Sequence, residues 1–102
     1  MATISFEVSQ DGLPDEVFYP VMEEVFQQIV DTTPVRTGYA QEQWTYEDTG
    51  DGVAIVNECD YISYLEEGWS DQAPDGMVGP AMDAMPDLLS SAMEEYNASL
   101  MQ

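Results

Sequence analysis

The run Gln41-Glu42-Gln43-Trp44-Thr45-Tyr46-Glu47, the connection Asp48-Thr49-Gly50-Asp51-Gly52 and the run Val53-Ala54-Ile55-Val56-Asn57 decide the fold. Trp44 and Tyr46 alternate with polar Gln43 and Thr45, the period-two pattern of a strand with one wet face. Val53 to Val56 is instead a continuous apolar run, which suits a strand buried on both faces. The Asp- and Gly-rich segment between them has the composition of a reversal, so Gln41–Glu47 and Val53–Asn57 are expected to form an antiparallel hairpin.

Outward from the hairpin, the period changes twice. On the N-terminal side, Ile4, Phe6 and Val8 alternate with Thr3, Ser5, Glu7 and Ser9, giving a third strand that Asp11-Gly12 ends. From Leu13 the apolar residues Val17, Phe18, Val21, Met22, Val25 and Ile29 recur at helical spacing, with Pro14 and Asp15 suited to a first turn. A single helix over about residues 14–31, kinked at Pro20, is predicted, and Thr32-Thr33-Pro34 stops it because the residue before proline is pushed out of the α region. On the C-terminal side, Asp60 is expected to cap a short helix through Glu67 whose apolar side is Tyr61, Ile62, Tyr64 and Leu65, with Gly68 as a left-handed stop. A loop from Trp69 to Gly79 follows, then a second amphipathic helix from Pro80 to about Leu100 carrying Ala81, Met82, Met85, Leu88, Leu89, Ala92, Met93 and Tyr96 on one broad face, with Pro86 as a bend. The expected class is α+β: one domain over residues 1–102, with a small antiparallel sheet of about three strands packed against two amphipathic helices, a short helix and a long loop. Trp44 and Tyr61 are expected in the core beneath the helices.

Charge is the abnormal property. Against 21 Asp and Glu stands a single cation, Arg36, with no Lys or His, for a net charge of −20. The acids are spread along the chain, and the 44% hydrophobic content is too high for a disordered acidic segment. A globular domain with a solvated acidic surface is implied, and sequence-specific or phosphate-led nucleic-acid binding is disfavoured. Such a surface repels itself in dilute buffer but is nearly screened at ~1 M salt, where the Debye length falls to roughly 3 Å. High-salt surroundings are the economical explanation; the alternative is an acidic DNA-mimic inhibitor of a nucleic-acid enzyme, whose carboxylates would imitate phosphates. The opening Met1–Val8 has neither a basic region nor a long apolar run, and no stretch approaches about 18 apolar residues, so neither a signal peptide nor a membrane partner is expected.

Residues that carry chemistry are scarce. Without His or Lys, a Ser-His or Cys-His nucleophile, an imidazole metal site and a Schiff base are all unavailable. Cys59 is alone between Glu58 and Asp60, which disfavour its thiolate, so an inert small residue is expected. Glu47 to Gly52 with Glu58 matches part of a calcium-loop pattern, but the β-like run Val53–Val56 between them favours an ordinary acidic turn. The expectation is no enzyme, no cofactor and no metal. Tyr39, Trp44, Tyr46, Tyr61, Tyr64 and Trp69 crowd the middle of the chain, and aromatic residues are enriched at interfaces.

That middle segment carries a succession of short motifs. Thr33-Pro34-Val35-Arg36-Thr37-Gly38 follows a helix and leads into the strand with Trp44; Tyr61-Ile62-Ser63-Tyr64-Leu65-Glu66-Glu67-Gly68 follows the next strand, and Trp69, Gln72-Ala73-Pro74, Met77 and Pro80-Ala81 come after it. The succession resembles the neck or tail-completion (head-tail joining) family of long-tailed bacteriophages and related archaeal tailed viruses, over roughly Thr33 to Met85. The resemblance implies a virion structural protein that is assembled in the host cytoplasm and closes a cyclic ring with copies of itself, six- or twelve-fold with six preferred. Its implied partners are connector or portal-side and tail-tube-side virion proteins, with DNA passing through the lumen. The assembly candidates it marks are Pro34, Arg36, Thr37, Gly38, Trp44 and Tyr61, together with Glu66, Gly68, Trp69, Gln72 and Pro74. Two further expectations rest on composition and charge: that the Trp69–Gly79 loop and the strand edges make the intersubunit contacts, and that Arg36 either pairs with carboxylates near Thr37-Gly38 or Glu66-Glu67 or stands freely solvated.

Overall fold

The computed structural model describes residues 3–34, 39–68 and 73–101. Strand β1 (Ile4–Ser9) leads into helix α1 (Asp15–Thr32), the one-turn helix α2 (Tyr39–Glu42), strands β2 (Trp44–Asp48) and β3 (Gly52–Asn57), the short helix α3 (Ile62–Glu66) and the long helix α4 (Val78–Leu100). The strands form one antiparallel sheet in the order β1-β3-β2. The α+β class is as expected.

Register explains which face became the core. Ile4 stands opposite Asn57, Phe6 opposite Ile55 and Val8 opposite Val53, while Trp44 and Tyr46 oppose Asn57 and Ile55 from the other side. The alternating residues of β1 and β2 therefore share a face with Val53 and Ile55 of the central strand. Against that face α1 sets Phe18, Val21, Met22, Val25 and Ile29, and Ile62, Met77 and Ala81 complete the buried cluster. On the opposite face Ala54 and Val56 are only half-buried, so β3 is fully covered on one side and not on both. A dry second face would need another layer that the described residues do not supply.

The helices differ from expectation at their ends. α1 is a single helix running through Pro20; it begins with the Pro14 carbonyl accepting from Val17 and Phe18. At its C-terminus Thr33 is extended (φ −65°, ψ 126°) before Pro34, as the proline rule requires. Gln41 and Glu42 lie not in a strand but in α2, because Ala40 is buried and its carbonyl accepts from Asn57 Nδ2 at 2.9 Å, while Gln41 Nε2 donates to the Val30 carbonyl at 3.0 Å. Asp60 does not cap α3: the position before that helix is Tyr61, without a side-chain cap, and the Ile62 N–H bonds the Cys59 carbonyl. Gly68 does adopt the left-handed conformation, at φ 89°.

α4 starts at Val78, two residues ahead of Pro80, which it holds in its first turn where the absent N–H costs nothing. Only Ala81 of α4 is fully buried. Met82, Met85, Leu88, Leu89 and Ala92 pack half-covered against the core, and α4 lies along α1. The molecule measures 48 × 27 × 18 Å with a radius of gyration of 14.9 Å, against about 13 Å for a compact chain near 100 residues. A single long helix running past its small core accounts for the excess.

Candidate functional site

Three polar clasps, two buried and one half-buried, hold the end of the sheet where β2, β3, α2 and α3 meet and the start of α4 beyond it. In the first, Thr33 Oγ1 donates to the Ile29 carbonyl at 2.7 Å and accepts from Trp44 Nε1 at 2.8 Å. Thr33 is thus satisfied although buried, and it fixes the indole of Trp44 at the start of β2. In the second, Asn57 Nδ2 donates to Ala40 while its Oδ1 accepts from the Cys59 N–H at 2.8 Å. Asn57 is fully buried at the end of β3, so one amide joins α2, the sheet and the turn into α3. The third clasp is Glu66. Its Oε1 accepts from the backbone N–H of Met77 (2.9 Å) and Val78 (2.8 Å), and its Oε2 from Gly79 (3.0 Å). A carboxylate there supplies acceptors for donors that open a helix without partners and sits at the positive end of the helix dipole.

Two glycines permit this third clasp. Gly76, at φ 85°, leaves no room for a side chain, because a Cβ would overlap the Glu66 carbonyl and carboxylate. A Cβ on Gly68 would overlap the Pro74 carbonyl oxygen. The C-terminal end of α3 and the Pro74–Gly76 segment leading into α4 are therefore pressed together backbone to backbone.

Of the residues singled out in the sequence, Trp44, Glu66, Gly68 and Pro74 are brought into these intrachain clasps, and Pro34 follows Thr33 within the first. Tyr61 is not in the core: it is 40% exposed, and the adjacent Ile62 takes the buried position. Tyr61 stands at the cap position before α3, and the first residue within the helix, Ile62, is the one turned into the cluster. Arg36, Thr37, Gly38, Trp69 and Gln72 lie outside the described residues, as does part of the Trp69–Gly79 loop; the described part of that segment is shorter than expected because Val78 and Gly79 belong to α4. Thr33, Asn57 and Gly76 were missed as structural determinants. Asn57 left a signal, a polar residue ending an apolar strand two positions before Cys59.

Reactive groupings are sparse among the described residues. No three Cys, Asp or Glu side chains converge to hold a metal ion. At the hairpin, Asp48 Oδ1 accepts from the Gly50 N–H at 2.8 Å and Gly50 is left-handed at φ 92°, the geometry of an acidic reversal. An open depression between that hairpin and the β1–α1 turn is lined by Ser9, Gln10, Asp11, Gly12, Gly50 and Asp51, and in it the Ser9 hydroxyl donates to Asp11 Oδ1 at 2.8 Å. Burial raises the Tyr46 hydroxyl above its ordinary 10.0, with Glu23, Tyr19 and Asp48 adding in the same direction. Among the described residues β1 and β2 each have one strand neighbour, leaving an edge without a strand partner on both sides of the sheet. No helix among the described residues is long and apolar enough to cross a membrane.

No family model matches the chain, and no characterised protein and no solved structure is significantly similar to it.

Proposed function

We propose that the chain is a structural subunit of a virion, a neck-ring or tail-completion protein at the head-tail junction of a tailed virus with a salt-adapted host, and that it performs no catalysis. The observation that carries this reading is the ordered succession of Thr33-Pro34 to Gly38, Trp44, Tyr61 to Gly68 and Gln72 to Pro74 between a helix-ended sheet and a long last helix. Two features of the fold support an assembling subunit. The sheet has open edges on both sides, and α4 leaves a Met- and Leu-rich stripe half covered, so a second surface would bury what this small core does not. The net charge of −20 supports the salt-adapted host, because acidic subunits can close a ring only where their mutual repulsion is screened.

Particles assembled without this protein test the proposal. The expected image is filled heads and separate tails, with joining restored when the purified protein is added in high salt. Complete, infectious particles lacking the protein would overturn it.

A further inference from the structure

Strand β1 lacks the devices that keep a sheet edge from pairing. Its register with β3 is unbroken from Ile4 opposite Asn57 to Ser9 opposite Gly52, so no bulge interrupts it, and it contains no Pro, Lys or Arg. Gln10, next in the same register, donates its N–H to the Asp51 carbonyl at 2.8 Å. Bonded and non-bonded pairs alternate along an antiparallel ladder, so Val8, Phe6 and Ile4 turn their N–H and C=O groups toward β3, and Ser9, Glu7 and Ser5 turn theirs outward. Among the described residues no backbone bond joins this outer side to another element. Ile4, Phe6 and Val8 pack against the core yet stay half-covered. β2 is less free: the Tyr19 hydroxyl reaches Asp48 Oδ1 at 3.4 Å, the Phe26 ring lies 5.4 Å from that of Tyr46, and Glu47 and Asp48 are adjacent carboxylates.

We propose that β1 pairs antiparallel with β1 of a second copy about a two-fold axis at Phe6, joining their sheets into one. The edge complements itself, and this selects a second copy as the occupant. In this register Phe6 meets Phe6 of the copy, while Ile4 and Val8 meet its Val8 and Ile4, so the core-facing pattern reads alike in both directions. These are non-bonded pairs, whose side chains stand closest, and aromatic or β-branched pairs are favourable there. On the other face Ser5 and Glu7 meet Glu7 and Ser5 of the copy in bonded pairs. The alternative registers of the same parity are worse. One centred on Glu7 sets that carboxylate against its own copy, and one centred on Ser5 carries Val8 past the end of the copy's strand. Because β1 carries one carboxylate, copies of charge −20 can approach along it once ~1 M salt shortens the Debye length to roughly 3 Å. The pair is isologous and closed, whereas a ring needs a heterologous contact, so it goes beyond the virion reading and does not depend on it.

The test uses the full chain at ~1 M salt and neutral pH. Ser5→Cys and Glu7→Cys chains are mixed in equal amounts and gently oxidised, and the disulfide-linked dimers are identified by mass spectrometry, with the parent chain and its buried Cys59 as control. A bonded pair brings the two Cα atoms to about 5.5 Å, within reach of a disulfide. The expected result is a mixed 5–7 disulfide in large excess over both homodimers. Sedimentation equilibrium gives the affinity. Ser5→Pro removes only an outward N–H, so it should fold by circular dichroism and fail to pair. If it does not fold, Ser5→Lys takes its place: it sets a cation opposite Glu7 twice in each pair and should tighten pairing about fivefold. Thr45→Lys adds the same charge on β2 and should tighten it less. A chain that stays single, a random mixture of disulfides, or a dominant 5–5 or 7–7 disulfide would overturn the proposal, as would pairing that survives in folded Ser5→Pro or equal tightening by the two lysines. A ring that forms without the mixed disulfide would overturn it while upholding the virion reading.

Discussion

Replacing Glu66 tests whether one side chain sets where the last helix begins. Its carboxylate receives three backbone N–H groups at 2.8 to 3.0 Å, from Met77, Val78 and Gly79. A helix-capping acceptor is worth about 1 kcal/mol. A negative charge at the positive end of the dipole adds about 0.3–1 kcal/mol. The carboxylate is half-buried, so water replaces part of what is lost, and the full value of three charge-assisted bonds does not apply. Glu66→Ala is therefore expected to cost about 2 kcal/mol, which for a domain near 100 residues lowers the melting temperature by roughly 10 °C. Glu66→Gln retains an acceptor but not the charge and should cost about half as much.

Removing any carboxylate also relieves repulsion in a chain of net charge −20, so the comparison must separate the two effects. Glu67 is exposed, follows α3 and carries the same charge. Glu67→Ala at ~1 M salt is therefore the reference, expected to be neutral or slightly stabilising. Thermal unfolding followed by circular dichroism gives the difference, and amide hydrogen exchange at Met77, Val78 and Gly79 locates it: protection there should fall in Glu66→Ala and not in Glu67→Ala. Equal melting of the two variants, with unchanged protection at the start of α4, would refute the reasoning.

Asn57→Leu keeps roughly the buried volume but leaves the Cys59 N–H without its acceptor and the Ala40 carbonyl with only the longer bond from the Gln43 N–H at 3.3 Å; urea unfolding should show a loss of about 2 kcal/mol, and a loss below about 0.5 kcal/mol would show that neither group needs that amide. Burial, then the carboxylate of Glu23, hold Tyr46 protonated above its ordinary 10.0. The unfolded chain ionises it first, so its contribution to stability is complete below about pH 10 and is lost as pH rises through the folded value. Tyr46→Phe should flatten that alkaline limb, and an unchanged alkaline slope would remove the assignment. With one cation against 21 acids, folding and self-association should both strengthen between about 10 mM and 2 M salt at neutral pH, as the Debye length falls from roughly 30 Å to below 3 Å. Circular dichroism and light scattering that do not change over this series would defeat the salt-adapted host while leaving the head-tail reading standing.

Periodicity made most of the fold legible. The alternation of Ile4, Phe6 and Val8 and the helical recurrence from Val17 to Ile29 each have a single buried solution, and the structure takes it. What the pattern hid was decided by contacts distant in sequence. Gln41 and Glu42 read as an extension of the strand until Asn57 and Val30 bind the segment into a helical turn. The start of α4 at Val78 depends on Glu66, many residues earlier, and on the glycine at 76 that lets the two approach. Tyr61 and Ile62 are both apolar neighbours, and only tertiary packing selects Ile62 for the interior.

Of the motif residues that suggested a head-tail protein, Trp44, Glu66, Gly68 and Pro74 help to hold the fold together. Thr33 before Pro34 receives Trp44, Glu66 fastens α4, and Gly68 yields space to the carbonyl of Pro74. Side chains turned inward in this way fix a shape that any of several functions could use, so their presence supports the fold more directly than the activity. The activity has to be sought where the same clasps leave surface free. Among the described residues, that surface comprises the two outer strand edges and the half-covered stripe of α4. Variants on those surfaces should therefore alter association while the melting temperature holds, whereas variants in the clasps should lower melting and change association only through it. A clasp variant such as Glu66→Gln that folds normally yet loses association would show that these residues also face a partner.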